Sequence, residues 1–195
     1  MSNSFILASS SPRRIELLEQ INYSPCAIIP AHIDETPLPN ELPPIYAKRM
    51  AETKAEKILN ENPDAVILAS DTVVACGRRI LPKAETEQDA QKCLNSISGK
   101  SHRVYSSICL MSKDFKTTKT VLTRVTFKRL STREKNEYLA SNEWEGKAGG
   151  YAIQGMAGAY VKKISGSYSN VVGLPLCETA NILSGKSIYP DIKRK

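Results

Sequence analysis

The sequence predicts an α/β protein with a mixed, strongly twisted β-sheet flanked by helices. Two observations lead to this fold class. Short apolar runs of strand length recur along the chain, and amphipathic stretches with apolar residues at helical spacing lie between them. The two kinds of element do not alternate strictly, which favours a mixed sheet over an all-parallel one. The 195 residues suffice for one domain, 1–195, with room for a cleft between two lobes.

The N-terminal third of the chain predicts two strands and two helices. Residues 5–8 form an apolar run typical of a buried strand. Ser11 is a suitable N-cap, and Pro12 suits the first helical position, where its missing N–H costs nothing. A second strand is predicted at 26–29. After a proline-rich loop, an apolar stripe predicts a helix over about 45–59.

The remainder of the chain predicts a hairpin, two long strands and three helices. An apolar strand, AVILASDTVVAC, is interrupted by one carboxylate and turns at a glycine into a second hairpin strand. Thr86 with Asp89, and Ser131 with Glu134, have capping-box-like spacing and mark two helix starts. The strands HRVYSSICLM and TVLTRVTFKRL lie between those helices. A glycine-rich stretch of loops and short strands then precedes a last helix after Pro175.

Charge and cysteine usage narrow the class of protein. The net charge of +7 indicates an anionic partner, which nucleotides, nucleic acids and acidic membranes all satisfy. The five cysteines form no C-x-x-C pair, so neither a disulfide framework nor a zinc knuckle is indicated. No stretch approaches the ~20 apolar residues of a membrane span, and the first apolar run is too short for a signal peptide. We therefore expect a cytoplasmic protein without membrane association, ending in a solvated basic tail, DIKRK.

The turn SSSPRR, residues 9–14, predicts an anion site. A strand that leads into a helix N-terminus presents free backbone N–H groups, and serine hydroxyls add donors. Arg13 and Arg14 lie in the first helical turn, where the helix dipole disfavours a positive charge by roughly 0.3–1 kcal/mol. Solvent exposure is the simpler explanation for either arginine alone. The pair beside three serines, including Ser9, favours phosphate binding.

Three charged residues further along are candidates for the chemistry. Asp71 interrupts an apolar strand, where a charge must be paired or bind a metal, although it can also cap a turn with Thr72. Lys54 falls on the apolar stripe of the second helix, where a lysine either extends its ammonium past the core or aims it into a cleft. Glu35, beside Asp34 in a loop, joins Asp71 as a hard oxygen ligand suited to Mg²⁺ or Mn²⁺, unless the loop acids are simply solvated.

Two weaker candidates lie in loops. Lys83 follows the hairpin, and Gln154 lies in the glycine-rich segment around Lys147, where its amide offers the paired donor and acceptor that read a base edge. The glycines of that segment let a backbone approach a ligand closely, and they are equally typical of hairpin turns.

These motifs together resemble the Maf (septum formation inhibitor-like) nucleoside triphosphate pyrophosphatases. The matching pieces occur in the family's order from residue 5 to about 180: LASSSPRRIELL, DET, AETKAEKI, ASDTVV, LPKAET, GKAGGYAIQG and GSYSNVVGLPLCET. The resemblance implies an elongated fold like that of inosine triphosphate pyrophosphatases, with the active site in a cleft between two lobes. It also implies hydrolysis of a nucleoside triphosphate to the monophosphate and pyrophosphate, a divalent metal and a homodimer.

Three of the motifs resemble the branch of the family that acts on dTTP and UTP. The branch acting on 7-methyl-GTP typically carries tryptophan, glutamine and glutamate at the positions of Arg13, Thr72 and Gln154. The resemblance therefore implies that these three residues help to select a pyrimidine base, canonical or modified. One departure is Ala84, where the family usually has proline after the lysine matched by Lys83. This departure predicts a looser turn.

We hypothesise roles for these candidates. We expect water to attack the α-phosphorus and pyrophosphate to leave, with Asp71 orienting or deprotonating the water, directly or through the metal, and Glu35 and Asp71 holding the metal. Four cations roughly match the ~4 negative charges of the triphosphate: Arg13, Arg14, Lys54 and Lys83. Two alternatives remain open. One is a 7-methyl-GTP pyrophosphatase of the same fold. The other is a non-catalytic nucleotide- or nucleic-acid-binding module, which the aromatic content of 6% disfavours.

Overall fold

A computed structural model describes residues 4–191, and within this part of the chain a seven-stranded mixed sheet carries helices on both faces. The strands are β1 Ile6–Ala8, β2 Ala27–Ile28, β3 Ile67–Cys76, β4 Arg79–Leu81, β5 Ser101–Met111, β6 Lys116–Phe127 and β7 Val161–Ser165. The helices are α1 Pro12–Gln20, α2 Pro43–Glu61, α3 Glu87–Ile97, α4 Thr132–Ala140, α5 Tyr168–Val172 and α6 Leu176–Ser184. The predicted fold class is confirmed.

The strand order is β2-β1-β3-β5-β6-β7, with β4 also paired to β3. β1 runs parallel to β2 and β3, whereas every other pairing is antiparallel. The helical crossovers through α1 and α2 return the chain parallel to β1, and the tight hairpin after β3 reverses it. The connection from β6 through α4 instead leads to an antiparallel neighbour, β7.

The helix starts follow the predicted capping chemistry. Ser131 and Glu134 form a complete capping box at α4, and the Thr86 hydroxyl accepts a hydrogen bond from the Asp89 N–H at 3.2 Å. α1 begins at Pro12 after Ser11, as predicted, although the Ser11 side chain makes no capping hydrogen bond. α2 extends two residues beyond the predicted helix at each end, because its two leading prolines fit a first turn that needs no N–H donor.

The side chains of β3 alternate between two cores. Ala69 and Val73 face α2, whereas Leu68 and Val74 belong to the larger core on the opposite face of the sheet. By the same alternation, Asp71 lies on the α2 face and near the middle of the strand.

A gap in the sheet beside β3 forms the cleft. β1 pairs with β3 only as far as Ala8 opposite Ala69, and β4 begins where Leu81 pairs with Val74. No described strand pairs with residues 70–73 along this edge. The SSSPRR turn leaves the carboxyl end of β1 at this gap, which is where open α/β sheets commonly bind ligands. A cavity of about 530 Å³ opens here.

The glycine-rich segment is more ordered than the sequence suggests. It contains a 3-10 helix, Met156–Tyr160, before β7, and the short helix α5 follows. We did not predict α5, which begins at Ser167, where the hydroxyl accepts from the Asn170 N–H. Most of the basic tail, 192–195, lies outside the described residues. Within residues 4–191, no helix is both long and apolar enough to cross a membrane.

Candidate active site

The cavity at the sheet gap collects eight of the nine predicted site residues. It is lined by Ser9, Arg13, Arg14, Glu35, Lys54, Asp71, Thr72 and Lys83. The ninth, Gln154, is exposed and is not among the residues that line the cavity. Residues from five separate stretches of sequence therefore meet at one place.

Four of these residues form an ion-pair network: Glu35, Lys54, Asp71 and Lys83. The Lys54 Nζ lies 2.6 Å from Asp71 Oδ1 and 2.6 Å from Glu35 Oε1. Lys83 pairs with the other oxygen of Glu35. Lys54 and Asp71 are only 7% and 5% exposed, so the ammonium of Lys54 is aimed into the cleft and does not extend past the core.

Ion pairing decides the charge state of Glu35. Burial acts to raise the pKa of this carboxyl, but hydrogen bonds from Lys54 and Lys83 outweigh it and lower the pKa to about 2. Glu35 is therefore ionised at neutral pH, and it is not merely a solvated loop acid.

The loop that carries Glu35 is held by side chains of α2. The Tyr46 hydroxyl donates to the Glu35 carbonyl at 2.6 Å, and Arg49 donates to the Thr36 carbonyl at 3.1 Å. Lys57 donates to the carbonyl of His32 at 2.6 Å. With Lys54 binding the Glu35 carboxylate, one helix positions both the backbone and the side chain of this acid.

Arg14 is bound to the protein itself. Its Nε donates to the Gly173 carbonyl at 3.0 Å, one terminal nitrogen donates to Ser9 Oγ at 2.9 Å, and the other lies 3.5 Å from Thr72 Oγ1. Burial lowers the pKa of this guanidinium. Arg14 thus fastens the SSSPRR turn to the loop after α5, and its positive charge still faces the cavity.

The carbonyl of Gly173 binds several side chains of this site. This carbonyl also accepts a hydrogen bond from Ser70 at 3.2 Å, and the Gly173 φ of +136° is a conformation that glycine adopts without strain. Thr72 bonds to Ser106 at 2.9 Å, which fixes the orientation of its hydroxyl beside the cleft.

Arg13 and Lys147 are differently placed, and we call them the open cation pair. Both line the cavity. Within residues 4–191, the Arg13 side chain makes neither a hydrogen bond nor an ion pair, and the Lys147 Nζ donates only to the Glu145 carbonyl, at 3.1 Å. Burial lowers the pKa of both groups, and the charge of Arg13 lowers that of Lys147 further. Sequence reasoning noted Lys147 but gave it no role, because nothing in its spacing connects it to Arg13.

The turn after Lys83 is anchored, contrary to the prediction of a looser turn. Ala84 is fully buried. Its N–H donates to the Lys147 carbonyl at 3.1 Å, and its carbonyl accepts from the Gly146 N–H at 2.9 Å. Alanine supplies the N–H that a proline would lack, so the substitution links the Lys83 and Lys147 segments.

A second cavity, of about 300 Å³, adjoins the first and shares Glu35, Asp71, Thr72, Lys83 and Ala148 with it. Its remaining lining is mostly apolar: Pro37, Tyr46, Val73, Ile80, Leu81 and Pro82. The ion-pair network therefore lies where a cationic cavity meets an apolar one.

The donor set suits a metal that is shared with a ligand. No group of three histidine, cysteine, aspartate or glutamate side chains in the described part of the chain could hold a metal alone. Two carboxylates, Glu35 and Asp71, meet at one ammonium. Mg²⁺ is commonly held by one or two carboxylates together with substrate phosphates and water, so the residues fit a metal of that kind.

The fold and the cleft together define an α/β protein with a cationic cavity beside two carboxylates. A sequence model of the Maf-like proteins matches residues 4–186, and the chain belongs to that family.

Relatives within the family are similar over nearly the whole chain. A protein of Paramagnetospirillum magneticum is 57% identical, over 95% of this chain and 98% of its own length. A protein of a Wolbachia from Drosophila simulans is 56% identical, over 93% of each chain. Both are named dTTP/UTP pyrophosphatase. Among solved structures, the Ham1 protein of Staphylococcus aureus is 14% identical, with a TM-score of 0.47 over 64% of this chain and 71% of that one.

Proposed function

We propose that this chain hydrolyses dTTP and UTP to the nucleoside monophosphate and pyrophosphate. One observation carries the proposal: the cleft places Asp71 and Glu35 against Lys54 and Lys83, with further cations alongside. A buried acid next to a cationic cavity is what attack on a polyphosphate requires. The names of the relatives support the choice of nucleotide.

In this mechanism Asp71 orients the attacking water and accepts its proton. The bond from Lys54 to Oδ1 fixes the direction of the carboxylate, and Lys54 and Lys83 offset the charge that grows as the anhydride breaks. Glu35 and Asp71 would hold Mg²⁺ or Mn²⁺, which supplies Lewis-acid polarisation of the phosphoryl oxygens when bound. Arg14 keeps the SSSPRR turn, including Ser9, against the phosphates.

Arg13 and Thr72 are proposed to help select the pyrimidine base, because both line the cavity. The side chain of Gln154 is exposed and lies outside the cavity lining. Gln154 is therefore proposed to contact the base only if the base extends beyond the cavity. From the family resemblance we also infer a homodimer and a cytoplasmic location. Light scattering on the purified chain measures whether it is a dimer.

The test is pyrophosphate release from dTTP, UTP, CTP, dATP, GTP and 7-methyl-GTP with Mg²⁺ or Mn²⁺. We expect selective hydrolysis of dTTP and UTP. Asp71→Asn should lower kcat by about 10²–10⁴-fold, the usual contribution of a general base, and should still bind nucleotide. Asp64→Asn is the matched control, because the Asp64 side chain is 88% exposed and, among the described residues, forms an ion pair with Lys113 alone.

Each other result has a distinct meaning. Hydrolysis of 7-methyl-GTP in preference would overturn the base assignment of Arg13, Thr72 and Gln154. Full activity of Asp71→Asn would reject the role of Asp71. Absence of hydrolysis with every triphosphate would leave a non-catalytic nucleotide-binding module.

A further inference from the structure

We propose that Lys147 is a substrate-binding residue which, together with Arg13, holds the terminal phosphates of the triphosphate and then the pyrophosphate product. The inference rests on the proposed function and adds to it a location for the leaving group. It assigns Arg13 to the phosphates in place of the base, and leaves base contact to Thr72, which lines both cavities. The five cations that line the cavity differ in the groups that bind them.

Three of the five cations already have strong partners. Lys54 and Lys83 are paired with carboxylates, and Arg14 is bonded to a carbonyl and to hydroxyls. Arg13 and Lys147 have no carboxylate partner in the described part of the chain. They are therefore the cations whose charge is available to a ligand without breaking an ion pair.

The two cavities give the phosphate chain a direction. Asp71 belongs to both cavities, so an α-phosphate attacked near Asp71 has space on either side. On the apolar side the lining has no cation besides Lys83. Arg13 and Lys147 lie on the other side. The β- and γ-phosphates carry most of the substrate's charge, so they extend toward the open cation pair.

Backbone hydrogen bonds hold Lys147 in place. The Lys147 carbonyl accepts from Ala84 at 3.1 Å, and the Gly149 N–H donates to the Pro82 carbonyl at 3.0 Å. These bonds involve the residues on either side of Lys83, and Lys83 itself forms an isolated β-bridge with Ala148. The position of Lys147 is thereby tied to that of a residue in the ion-pair network.

A close backbone approach places this segment against β3. Gly149 has a φ of +69°, and a Cβ built on it would lie 2.7 Å from Val74 Cγ1. Only a residue without a side chain allows the segment to lie directly on the strand that carries Asp71. The backbone of Lys147 is brought to the sheet gap by this contact.

The pair also has an electrostatic reason to bind an anion. Two half-buried positive charges near each other repel and lose hydration, and neither makes an ion pair in the described part of the chain. Burial and the charge of Arg13 lower the pKa of Lys147, although Glu145 acts in the opposite direction, as Glu16 does on Arg13. Pyrophosphate supplies both the missing charge and the missing hydrogen-bond acceptors.

The test measures binding of inorganic pyrophosphate by calorimetry, alongside kcat and KM for dTTP. Lys147→Met should weaken pyrophosphate binding about tenfold and raise the KM for dTTP similarly, as expected for one charge-assisted hydrogen bond. Lys147→Arg should retain most of the binding. Lys162→Met is the matched control, since Lys162 is exposed on β7. Lys147→Gln provides a second neutral variant, and melting curves confirm that each variant is folded.

The outcomes separate this inference from the proposed function. If dTTP is hydrolysed but pyrophosphate binding and KM are unchanged in Lys147→Met, the inference is wrong and the function stands. A raised KM with unchanged pyrophosphate binding places Lys147 on the nucleoside and overturns the phosphate assignment. If the wild type hydrolyses no triphosphate, the function fails, while weaker pyrophosphate binding in Lys147→Met still supports the anion site.

Discussion

The two groups of charges in the cleft differ in how they are stabilised. In the ion-pair network, Lys54 bridges two carboxylates and is almost fully buried. In the open cation pair, Arg13 and Lys147 face the same cavity without a carboxylate partner in the described chain. The charges of the network form ion pairs within the protein. Those of the open pair form no ion pair among the described residues and remain available to a ligand.

The two groups therefore have different functions, although all of their side chains are charged and line the same cavity. Side chains of the network are part of the folded structure, so losing one affects both stability and catalysis. Side chains of the open pair contribute little to folding, so losing one affects ligand binding alone. Adjacent residues fall on opposite sides of this division, since Arg14 is bonded to the protein and Arg13 is not.

The largest expected effect is that of Lys54→Met. Removing the ammonium leaves the buried carboxylate of Asp71 without its ion-pair partner, and leaves Glu35 paired with Lys83 alone. We expect the free energy of unfolding to fall by about 3 kcal/mol, measured by urea denaturation, and hydrolysis to be lost. Lys48→Met, on the exposed side of the same helix, should change the free energy by less than about 0.5 kcal/mol. Equal effects of the two variants would show that the network does not stabilise the fold.

A second comparison sets Arg14→Met against Arg13→Met. Arg14→Met leaves the Gly173 carbonyl and the Ser9 hydroxyl without their charged donor, so the free energy of unfolding should fall by about 2 kcal/mol. Arg13→Met should change it by less than about 0.5 kcal/mol and should raise the KM for dTTP about tenfold. Denaturation and steady-state kinetics on the same preparations decide the matter. A reversed pattern would mean that the bonding of Arg14 does not stabilise the fold.

A smaller effect concerns acid stability. The pKa of Glu35 is lowered to about 2 in the folded protein, so the unfolded chain binds a proton first as the pH falls. The stabilisation from Glu35 is therefore complete above its ordinary pKa near 4.5 and is lost as the pH falls from there toward 2. Glu35→Gln should show a flatter decline of stability over this range in pH-dependent urea titrations. Curves that run parallel through this range would contradict the assignment.

The smallest expected effect is a salt dependence confined to the open pair. Raising the ionic strength screens exposed charges more than buried pairs. Pyrophosphate binding by the wild type should weaken a few-fold between low and physiological salt, and Arg13→Met should weaken less steeply. Calorimetry at two salt concentrations measures both slopes. Identical slopes would place the phosphates away from Arg13.

The sequence predicted the elements well because their signals are local. Capping residues such as Ser131 and Glu134 act within one turn, and the apolar stripe of α2 reports the face it buries. Asp71 was identifiable because a carboxylate within an apolar strand needs a partner. The short helix α5 was missed, because its start at Ser167 depends on a single hydroxyl cap within a glycine-rich segment.

Partnerships between distant residues were beyond the reach of sequence reasoning. Nothing in the spacing of Arg13 and Arg14 shows that one binds the carbonyl of Gly173, 159 positions beyond Arg14. The proximity of Lys147 to Arg13 likewise depends on the close approach of Gly149 to Val74. The positions outside the cavity lining, such as Gln154, could be placed only once the fold was known.

The gap beside β3 has a consequence for what can enter the cleft. An unpaired strand edge normally invites another strand to add to the sheet and so promotes aggregation. Here the unpaired stretch, residues 70–73, is closed at both ends by β1 and β4. A strand added here could pair with only those four residues, fewer than the about 5–6 residues of an average strand. The closed ends therefore shorten the edge that an incoming strand could use, while the cavity beside that edge stays open to a ligand.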